Sequence, residues 1–388
     1  MPISDEIDLF GIESLLSAEE KACRDAARTF VEQECLPIIA GHFDQGTFPM
    51  QVIPRMAALG WFGLHVKGFG CVPRNETIYG LICQELGRAD SGLRAMVSVQ
   101  NSLVMFPISA FGSEEQRLQW LPGMARGETI GCFGLSEPGY GSNPGGLQTQ
   151  AVRDGADFIL NGRKMWITNA PIAQVALIWA KLDGDLRGFL VEAGIPGYQV
   201  TPIQRKYAYR ASPTGMIALN DCRVPASSLL PGVQGLRSIF RCLNLARFGV
   251  ACGAVGSAIA CYQEARAFAL QRKVFERAIA SYQLVQEQLV QMLVEITKAQ
   301  LVNYHLGRLM DSGQARPAQI SLAKLNSVRE AMTIARSARD ILGARGILAD
   351  HHVIRHLCDL EALSTLEGTA SMHTLVLGHE VTGIPAFY

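Results

Sequence analysis

The chain has 388 residues, a formal net charge of zero and a hydrophobic content of 48%. Its length is enough for two or three domains, and the balanced charge argues against a nucleic-acid or anionic-membrane partner, because either would call for a basic excess. A mean hydropathy of +0.15 predicts large buried faces between domains or subunits, so we expect an oligomer.

The N-terminus and the cysteines predict a cytoplasmic protein. Residues 1–13 are acidic and have neither a basic cluster nor an apolar core, which is unlike a secretory signal or a mitochondrial transit peptide. The ten cysteines are scattered without any C-x-x-C pair, so neither a disulfide framework nor a zinc ribbon is indicated. His352 and His356 have the helical spacing of a metal pair, but no complete ligand set accompanies them, and we expect no metal.

Helical periodicity dominates the first third of the chain. Ser17 and Glu20 have the spacing of a capping box, and apolar residues follow them at helical intervals. Further helices are predicted over residues 51–59, 76–89 and 113–124. The pattern indicates an N-terminal α-helical domain over residues 1–128.

Short β-branched or aromatic runs, broken by Gly, Asp and Asn, replace the helical pattern from about residue 129. Strands are predicted over residues 129–133, 158–160, 176–181 and 188–192, with a turn at Leu182-Asp183-Gly184. These runs predict a middle β-domain over residues 129–233, either a small barrel or a sandwich.

Long helical patterns return from Ser238, including residues 284–310 and 317–342, and predict a C-terminal helical bundle domain over residues 234–388. The least polar stretch, residues 248–263, is rich in Gly, Ala and Cys. It is too short and small-sided to span a bilayer, so we interpret it as an interior helix and expect no membrane partner. The predicted fold class is mainly α with a central β-domain.

Glu367 is the candidate catalytic base. It follows an apolar helical run and precedes Gly368 and Thr369, and the threonine is a good N-cap for the last helix. Burial at the helix end should raise the pKa of the carboxyl, whereas the positive end of the next helix should lower it. A carboxylate poised in this way is suited to abstract a proton. A capping or solvated glutamate is the alternative that this residue alone leaves open.

Several segments together resemble the acyl-CoA dehydrogenase family. They are Gly131-Cys-Phe-Gly-Leu-Ser-Glu-Pro138, Gly141-Ser-Asn-Pro-Gly145, Lys164-Met-Trp-Ile-Thr-Asn169, Arg272-Lys-Val-Phe275 and Glu367-Gly-Thr369. The segments occur in the family's order over essentially the whole chain. The resemblance implies an N-terminal helical domain, a middle β-barrel and a C-terminal four-helix bundle, which together bind FAD and an acyl thioester.

The same resemblance implies which residues bind FAD. One segment would line the flavin through its backbone and hydroxyl groups, and two residues of a second segment would flank the ring. A neighbouring subunit would supply further contacts. A glycine-containing loop would close over the pyrophosphate. The residues so implied are Phe133, Leu135, Ser136, Trp166, Thr168, Arg272, Phe275, Gly343, Gly346 and Thr369. In isolation, the structural interpretation is favoured for each of three of them: Ser136 as a turn residue, Trp166 as a core aromatic and Thr168 as a strand former.

Within the family, the sequence most resembles the glutaryl-CoA dehydrogenases. The similar segments are Asp90-Ser-Gly-Leu-Arg94, Ser98-Val-Gln-Asn-Ser-Leu-Val-Met105, Gly112-Ser-Glu-Glu-Gln-Arg117, Cys242-Leu-Asn-Leu-Ala-Arg247 and His352-Val-Ile-Arg-His356. This likeness implies that Arg94 pairs with a distal carboxylate of the acyl chain and that Ser98 adds a polar contact.

The remaining substrate residues implied by the resemblance are Ser142, Asn244, Arg247 and Leu366. Ser142 would contact the pantetheine arm, as would Asn244 and Arg247, although a helix-pairing role for Arg247 stays open. Some relatives carry the base on the helix that here contains Ala246, which cannot accept a proton, so Glu367 has no competitor.

Two substitutions depart from the glutaryl-CoA dehydrogenase pattern. Gly87 replaces a glutamate and Leu366 replaces the tyrosine before the base, and both partners normally surround the substrate carboxylate. The flavin segments differ as well, at Ser136, Asn143 and Val274. These departures predict a specialised relative, with the decarboxylation step left open.

The leading hypothesis is FAD-dependent α,β-dehydrogenation of a short acyl thioester with a distal carboxylate, with or without loss of CO₂. The alternative is a non-decarboxylating dehydrogenase or an oxidase that acts on a CoA-bound or carrier-protein-bound acyl group in a biosynthetic pathway. A flavin-bound interaction protein without turnover is a rival of another class. We expect a homotetramer and an electron acceptor such as an electron-transfer flavoprotein.

Overall fold

A computed structural model describes residues 8–386. The first seven residues lie outside this range. They carry part of the expectation that the N-terminus has no targeting segment. Helices build the first part of the chain: α1 (Ala18–Phe30), α2 (Leu36–Gln45), α3 (Ile53–Ala58), α4 (Glu76–Ala89), α5 (Ser91–Ser98), α6 (Phe106–Phe111) and α7 (Glu114–Ala125). The capping box of Ser17 and Glu20 is formed as predicted. Segments of wider π-helical turns, Val31–Cys35 and Val99–Met105, join α1 to α2 and α5 to α6.

Local capping explains how α4 and α5 are placed. The Asn75 side chain accepts a hydrogen bond from the Ile78 amide at 2.7 Å, which starts α4 at its predicted first residue. Asp90 ends α4 in an extended conformation, and its carboxylate accepts from the Gly92 amide at 2.7 Å. One aspartate thus closes α4 and opens α5, the helix that carries Arg94.

The middle of the chain forms one seven-stranded sheet. Its strands are β1 (Gly131–Gly134), β2 (Gln150–Asp154), β3 (Asp157–Thr168), β4 (Val175–Leu182), β5 (Asp185–Glu192), β6 (Tyr198–Pro202) and β7 (Thr214–Pro225). The order is β1-β4-β2-β3-β7-β6, and β5 pairs with β4. The predicted β-domain is confirmed, although no backbone ladder within residues 8–386 joins β5 to β6 to close a ring.

One turn and one β-bulge shape this sheet. The predicted turn after Leu182 is the β4–β5 hairpin, where Asp183 and Gly184 have φ of +53° and +89°. In β3 the pairing with β7 shifts between Lys164 and Ile167, and Trp166 adopts a φ of +65°. This bulge leaves the Trp166 indole 59% exposed.

Helices return in the last part of the chain: α8 (Leu236–Gln271), α9 (Gln283–Asp311), α10 (Pro317–Leu342), α11 (His352–Thr365) and α12 (Ala370–Thr382). A short hairpin, β8 (Lys273–Val274) and β9 (Arg277–Ala278), separates α8 from α9. By length and composition α8 could cross a membrane, but 78% of its apolar window is buried inside the protein. It is the interior helix that the sequence predicts.

Glycines bring α4 and α8 into backbone contact. A Cβ added at Gly87 would lie 2.3 Å from the carbonyl oxygen of Gly253, and one added at Gly256 would lie 1.9 Å from the carbonyl oxygen of Gln84. The Ser257 hydroxyl also donates to the Gly87 carbonyl at 3.1 Å. Gly87, which the resemblance marks as a departure from a glutamate, is therefore packed so closely against α8 that there is no room for a side chain.

Candidate active site

Glu367 lies in the tight turn between α11 and α12. Its φ is +54°, a left-handed conformation that costs a non-glycine residue about 1–3 kcal/mol and is typical of functional sites. The Oε2 atom is buried without a hydrogen-bond partner, and within residues 8–386 the Glu367 amide donates to no other group. Thr369 caps α12 as predicted, accepting from the Met372 amide at 3.1 Å.

Two basic side chains hold the backbone of this turn. Arg247 Nε of α8 donates to the Glu367 carbonyl at 2.8 Å. Lys324 Nζ of α10 donates to the carbonyls of Leu366 and Gly368 at 2.7 and 2.6 Å. The carbonyls of three consecutive residues are thus fixed by side chains from the two central helices of the bundle.

Arg247 is itself positioned by a neighbour, because its Nη1 donates to Asn244 Oδ1 at 3.1 Å. The resemblance assigns Asn244 and Arg247 to the pantetheine arm. Within residues 8–386 the side-chain hydrogen bonds of Arg247 go to Asn244 and to the base segment, so Arg247 supports Glu367. Ala246 is fully buried beside them and carries no proton acceptor.

Burial raises the pKa of Glu367, as predicted, and the charges of Arg94, Lys324 and Arg247 partly oppose that rise. The residue as a whole is half-buried, but its Oε2 atom is shut off from solvent, which accounts for the desolvation. Burial also lowers the pKa of Lys324 to about 7. A base with a raised pKa beside cations is suited to take a proton near neutrality.

Arg94 lies on α5 with 1% of its surface exposed. Its Nη2 donates to the Tyr209 hydroxyl at 2.5 Å, and its Nε is buried without a partner. The aliphatic stem rests on Gly253 of α8, where an added Cβ would lie 3.0 Å from Cγ. Ser98, one helical turn further on, is fully buried and accepts from the Tyr79 hydroxyl at 3.1 Å.

The flavin residues predicted on β1 and β3 are brought side by side. Lys164 Nζ donates to the Leu135 carbonyl at 3.1 Å and to Glu137 Oε1 at 2.8 Å. The Met165 amide donates to the Ser136 carbonyl at 2.9 Å. Burial lowers the pKa of Lys164 to about 8. This buried ion pair fixes the β1 end next to the Trp166 bulge.

Aromatic rings frame the same region. The Phe133 ring packs edge-to-face on Trp179, with centroids 5.7 Å apart. The Trp166 indole faces solvent, and Phe275 at the tip of the β8–β9 hairpin is 87% exposed. Within residues 8–386 the Ser136 hydroxyl makes no hydrogen bond. An uncovered indole beside an unpaired hydroxyl fits a planar polar group such as the isoalloxazine of FAD.

The other predicted ligand residues lie in different settings. Ser142 and Arg272 are exposed, and Thr168 pairs with Thr214 at the end of β3. Gly343, with a φ of +58°, has open space where a Cβ would be, as a cradle for a phosphate requires. Gly346 instead lies against α10, where an added Cβ would be 2.5 Å from the Arg339 carbonyl oxygen.

Sequence reasoning missed Lys324, Tyr209 and the Lys164–Glu137 pair. Lys164 and Glu137 lie in two of the segments that resemble the family, so their pairing was weakly indicated by the sequence. Lys324 and Tyr209 had none, because each is an isolated polar residue that contacts distant parts of the chain.

Comparison with known proteins identifies the family. The family models "Acyl-CoA dehydrogenase, N-terminal domain", "middle domain" and "C-terminal domain" match residues 17–128, 132–222 and 233–382. The chain belongs to the acyl-CoA dehydrogenase family. It is therefore a flavin-dependent oxidoreductase that binds FAD, as the sequence predicts.

Individual relatives refine this picture. Two solved structures of glutaryl-CoA dehydrogenase from Mycobacterium smegmatis are 48% and 46% identical to this chain, with TM-scores of 0.96 and 0.97. Each covers 98% of this chain and 99% of its own, and the second is in complex with FADH2. The human mitochondrial short-chain specific acyl-CoA dehydrogenase is 32% identical over 92% of this chain and 88% of its own. The predicted likeness to glutaryl-CoA dehydrogenases is confirmed.

Proposed function

We propose that this enzyme dehydrogenates a short acyl thioester with a distal carboxylate, at the α and β carbons. The observation that carries the proposal is the buried Arg94 guanidinium, whose only hydrogen bond within residues 8–386 goes to an uncharged phenol. A buried cation without a salt-bridge partner is costly. An acyl chain that ends in a carboxylate supplies that partner.

Glu367 removes the α-proton. Its unpartnered Oε2 is free to accept the proton, and the raised pKa gives the carboxylate enough basicity to take it. The unpaired Glu367 amide is a donor for the thioester oxygen, where negative charge develops as the proton leaves. FAD, when bound, supplies the acceptor for the β-hydride, and Phe133, Ser136 and Trp166 are the residues that would hold it.

Arg247 and Lys324 keep this base in place. Both donate to carbonyls of the turn, so the carboxylate and the amide of Glu367 keep a fixed separation and direction. Preorganised groups of this kind lower the barrier because they do not reorient during the reaction.

The test of substrate class compares glutaryl-CoA with butyryl-CoA. Arg94→Gln should lower kcat/KM for glutaryl-CoA by tenfold or more relative to butyryl-CoA, because hydrogen bonds to charged groups contribute about 1.5–3 kcal/mol. Arg126→Gln, which changes an exposed arginine, is the matched control and should leave the ratio unchanged. An unaltered ratio in Arg94→Gln would refute the proposed substrate class.

A second candidate, dehydrogenation with the carboxylate retained, is favoured by Gly87 and Leu366. Neither residue offers a polar group to the distal carboxylate, and the backbone of Gly253 fills the space beside Gly87. Product mass after turnover of glutaryl-CoA separates the two candidates, since the decarboxylated product is lighter by the mass of CO₂. Peroxide release in air would identify an oxidase.

We also propose a cytoplasmic homotetramer that accepts a CoA or carrier-protein thioester and passes electrons to an electron-transfer flavoprotein. The support for assembly is a set of exposed apolar side chains on the hairpin and α9, namely Phe275, Leu284, Val290 and Val294. The free state of all ten cysteines agrees with a reducing compartment. Native mass spectrometry of the wild type and of Phe275→Ser would test both the tetramer and a flavin contact across subunits.

A further inference from the structure

We propose that Tyr209 binds the distal carboxylate together with Arg94 and is a specificity-determining residue of this enzyme. The inference rests on the proposed function, because it assigns a second binding group to the distal carboxylate of the acyl chain. Tyr209 lies in the loop between β6 and β7 and is buried.

The backbone of Tyr209 is anchored on both sides. Its amide donates to Asp359 Oδ1 at 2.6 Å, and its carbonyl accepts from Lys206 Nζ at 2.8 Å. Its φ of +57° is left-handed, which a tyrosine adopts only when its surroundings hold it. Asp359 belongs to α11, the helix that leads to Glu367, so the phenol and the base are positioned by the same element.

The unpaired groups near Tyr209 are donors, so the ligand that completes the site must be a hydrogen-bond acceptor. The Tyr209 oxygen accepts from Arg94 Nη2, so the hydroxyl proton needs an acceptor, and within residues 8–386 it has none. Arg94 Nε is a second buried donor without a partner. A carboxylate only accepts hydrogen bonds and has two oxygens, which matches two adjacent unpaired donors.

The local charges favour the same ligand. Arg94, Lys324 and Arg247 all act on the single carboxylate of Glu367, so the site has an excess of basic groups. Asp90 and Asp359 do not neutralise Arg94: Asp90 pairs with Arg355 at 3.2 Å, and Asp359 accepts from the Tyr209 amide. An anionic chain end would balance this excess, whereas an alkyl end would leave both donors unmatched and an amide end could accept hydrogen bonds but would supply no charge.

The experiment combines one change in the protein with two changes in the ligand. Tyr209→Phe removes only the hydroxyl, and the exposed Tyr207→Phe in the same loop is the matched control. The FAD-loaded proteins are assayed with glutaryl-CoA, with its terminal amide glutaramyl-CoA and with butyryl-CoA. We expect Tyr209→Phe to lower kcat/KM for glutaryl-CoA by about tenfold to a hundredfold, to lower it less for glutaramyl-CoA, and to leave it within about twofold for butyryl-CoA.

An equal loss for all three thioesters would show that Tyr209 only supports the fold, and an unchanged or increased rate with glutaryl-CoA would show that it does not bind the carboxylate. Either result overturns the inference, while Arg94→Gln tests the proposed function separately. Wild-type enzyme provides a measurement that needs no variant. Equal kcat/KM for glutaryl-CoA and glutaramyl-CoA would overturn the donor-only pocket, because the amide presents its own N–H groups to those donors.

Discussion

The guanidinium of Arg247 donates a hydrogen bond of 2.8 Å to the backbone carbonyl of Glu367, from a helix that precedes it by 120 residues in sequence. This contact ties the left-handed turn of the base to the core of the bundle. Arg247 is therefore a positioning residue for the base, and its loss should affect the chemical step.

Arg247→Gln should lower kcat by about tenfold or more with a smaller change in KM, because a displaced base loses alignment in the transition state. Arg247→Lys should restore part of the rate by offering a donor to the same carbonyl. The exposed Arg237→Gln on α8 serves as the control. If Arg237→Gln lowers kcat as much as Arg247→Gln does, Arg247 has no specific role in positioning the base.

Glu367→Gln should abolish turnover while FAD stays bound. The amide cannot take the α-proton, and loss of a general base typically costs about 10²–10⁴-fold. Anaerobic bleaching of the flavin by glutaryl-CoA measures this step directly. Glu361→Gln changes an exposed glutamate of α11 and should bleach at the wild-type rate, and bleaching of Glu367→Gln at that same rate would exclude Glu367 as the base.

The pH dependence of kcat/KM should report the raised pKa of Glu367. The reaction needs the carboxylate, so the rate should rise with pH through an acid limb that lies above the ordinary value of 4.5. The Lys324 charge lowers the pKa of Glu367, so Lys324→Met should move this limb to higher pH. The exposed Lys298→Met is the control, and a limb that moves to lower pH in Lys324→Met would contradict the electrostatic coupling.

Lys164→Met should destabilise the β-domain. It leaves the buried Glu137 without its cation, and breaking a buried pair from one side costs about 3–5 kcal/mol in the free energy of unfolding. The double change Lys164→Met with Glu137→Gln should recover part of that loss. Chemical denaturation measures both, and the exposed Lys273→Met should stay within about 0.5 kcal/mol of wild type.

Local signals predicted much of the fold. The Ser17–Glu20 capping box and the Asp183-Gly184 turn mark element ends through hydrogen bonds and backbone angles that act within a few residues. The length of β3 was underestimated, because polar residues from Asn161 to Lys164 interrupt the apolar alternation while the strand continues. A strand is held by its partners, and those are distant in sequence.

The candidate site was predictable where a residue belongs to a family segment, as Glu367 and Arg94 do. Lys324 and Tyr209 were not, because their contacts span 42 and 115 residues. A lone lysine in a helical pattern resembles a solvated face, and only the fold reveals that it is buried against the carbonyls of the base turn. The burial that raises the pKa of Glu367 was predictable in direction from its apolar flanks.

The backbone contact at Gly87 limits how this lineage can change. A single codon change could introduce a glutamate there, but its Cβ would lie 2.3 Å from the Gly253 carbonyl oxygen, which is a severe steric clash. Reinstating the residue would first require α8 to move away from α4, and α8 also supports Arg94 and supplies Arg247. Evolvability at this position is therefore limited by the spacing of the two helices.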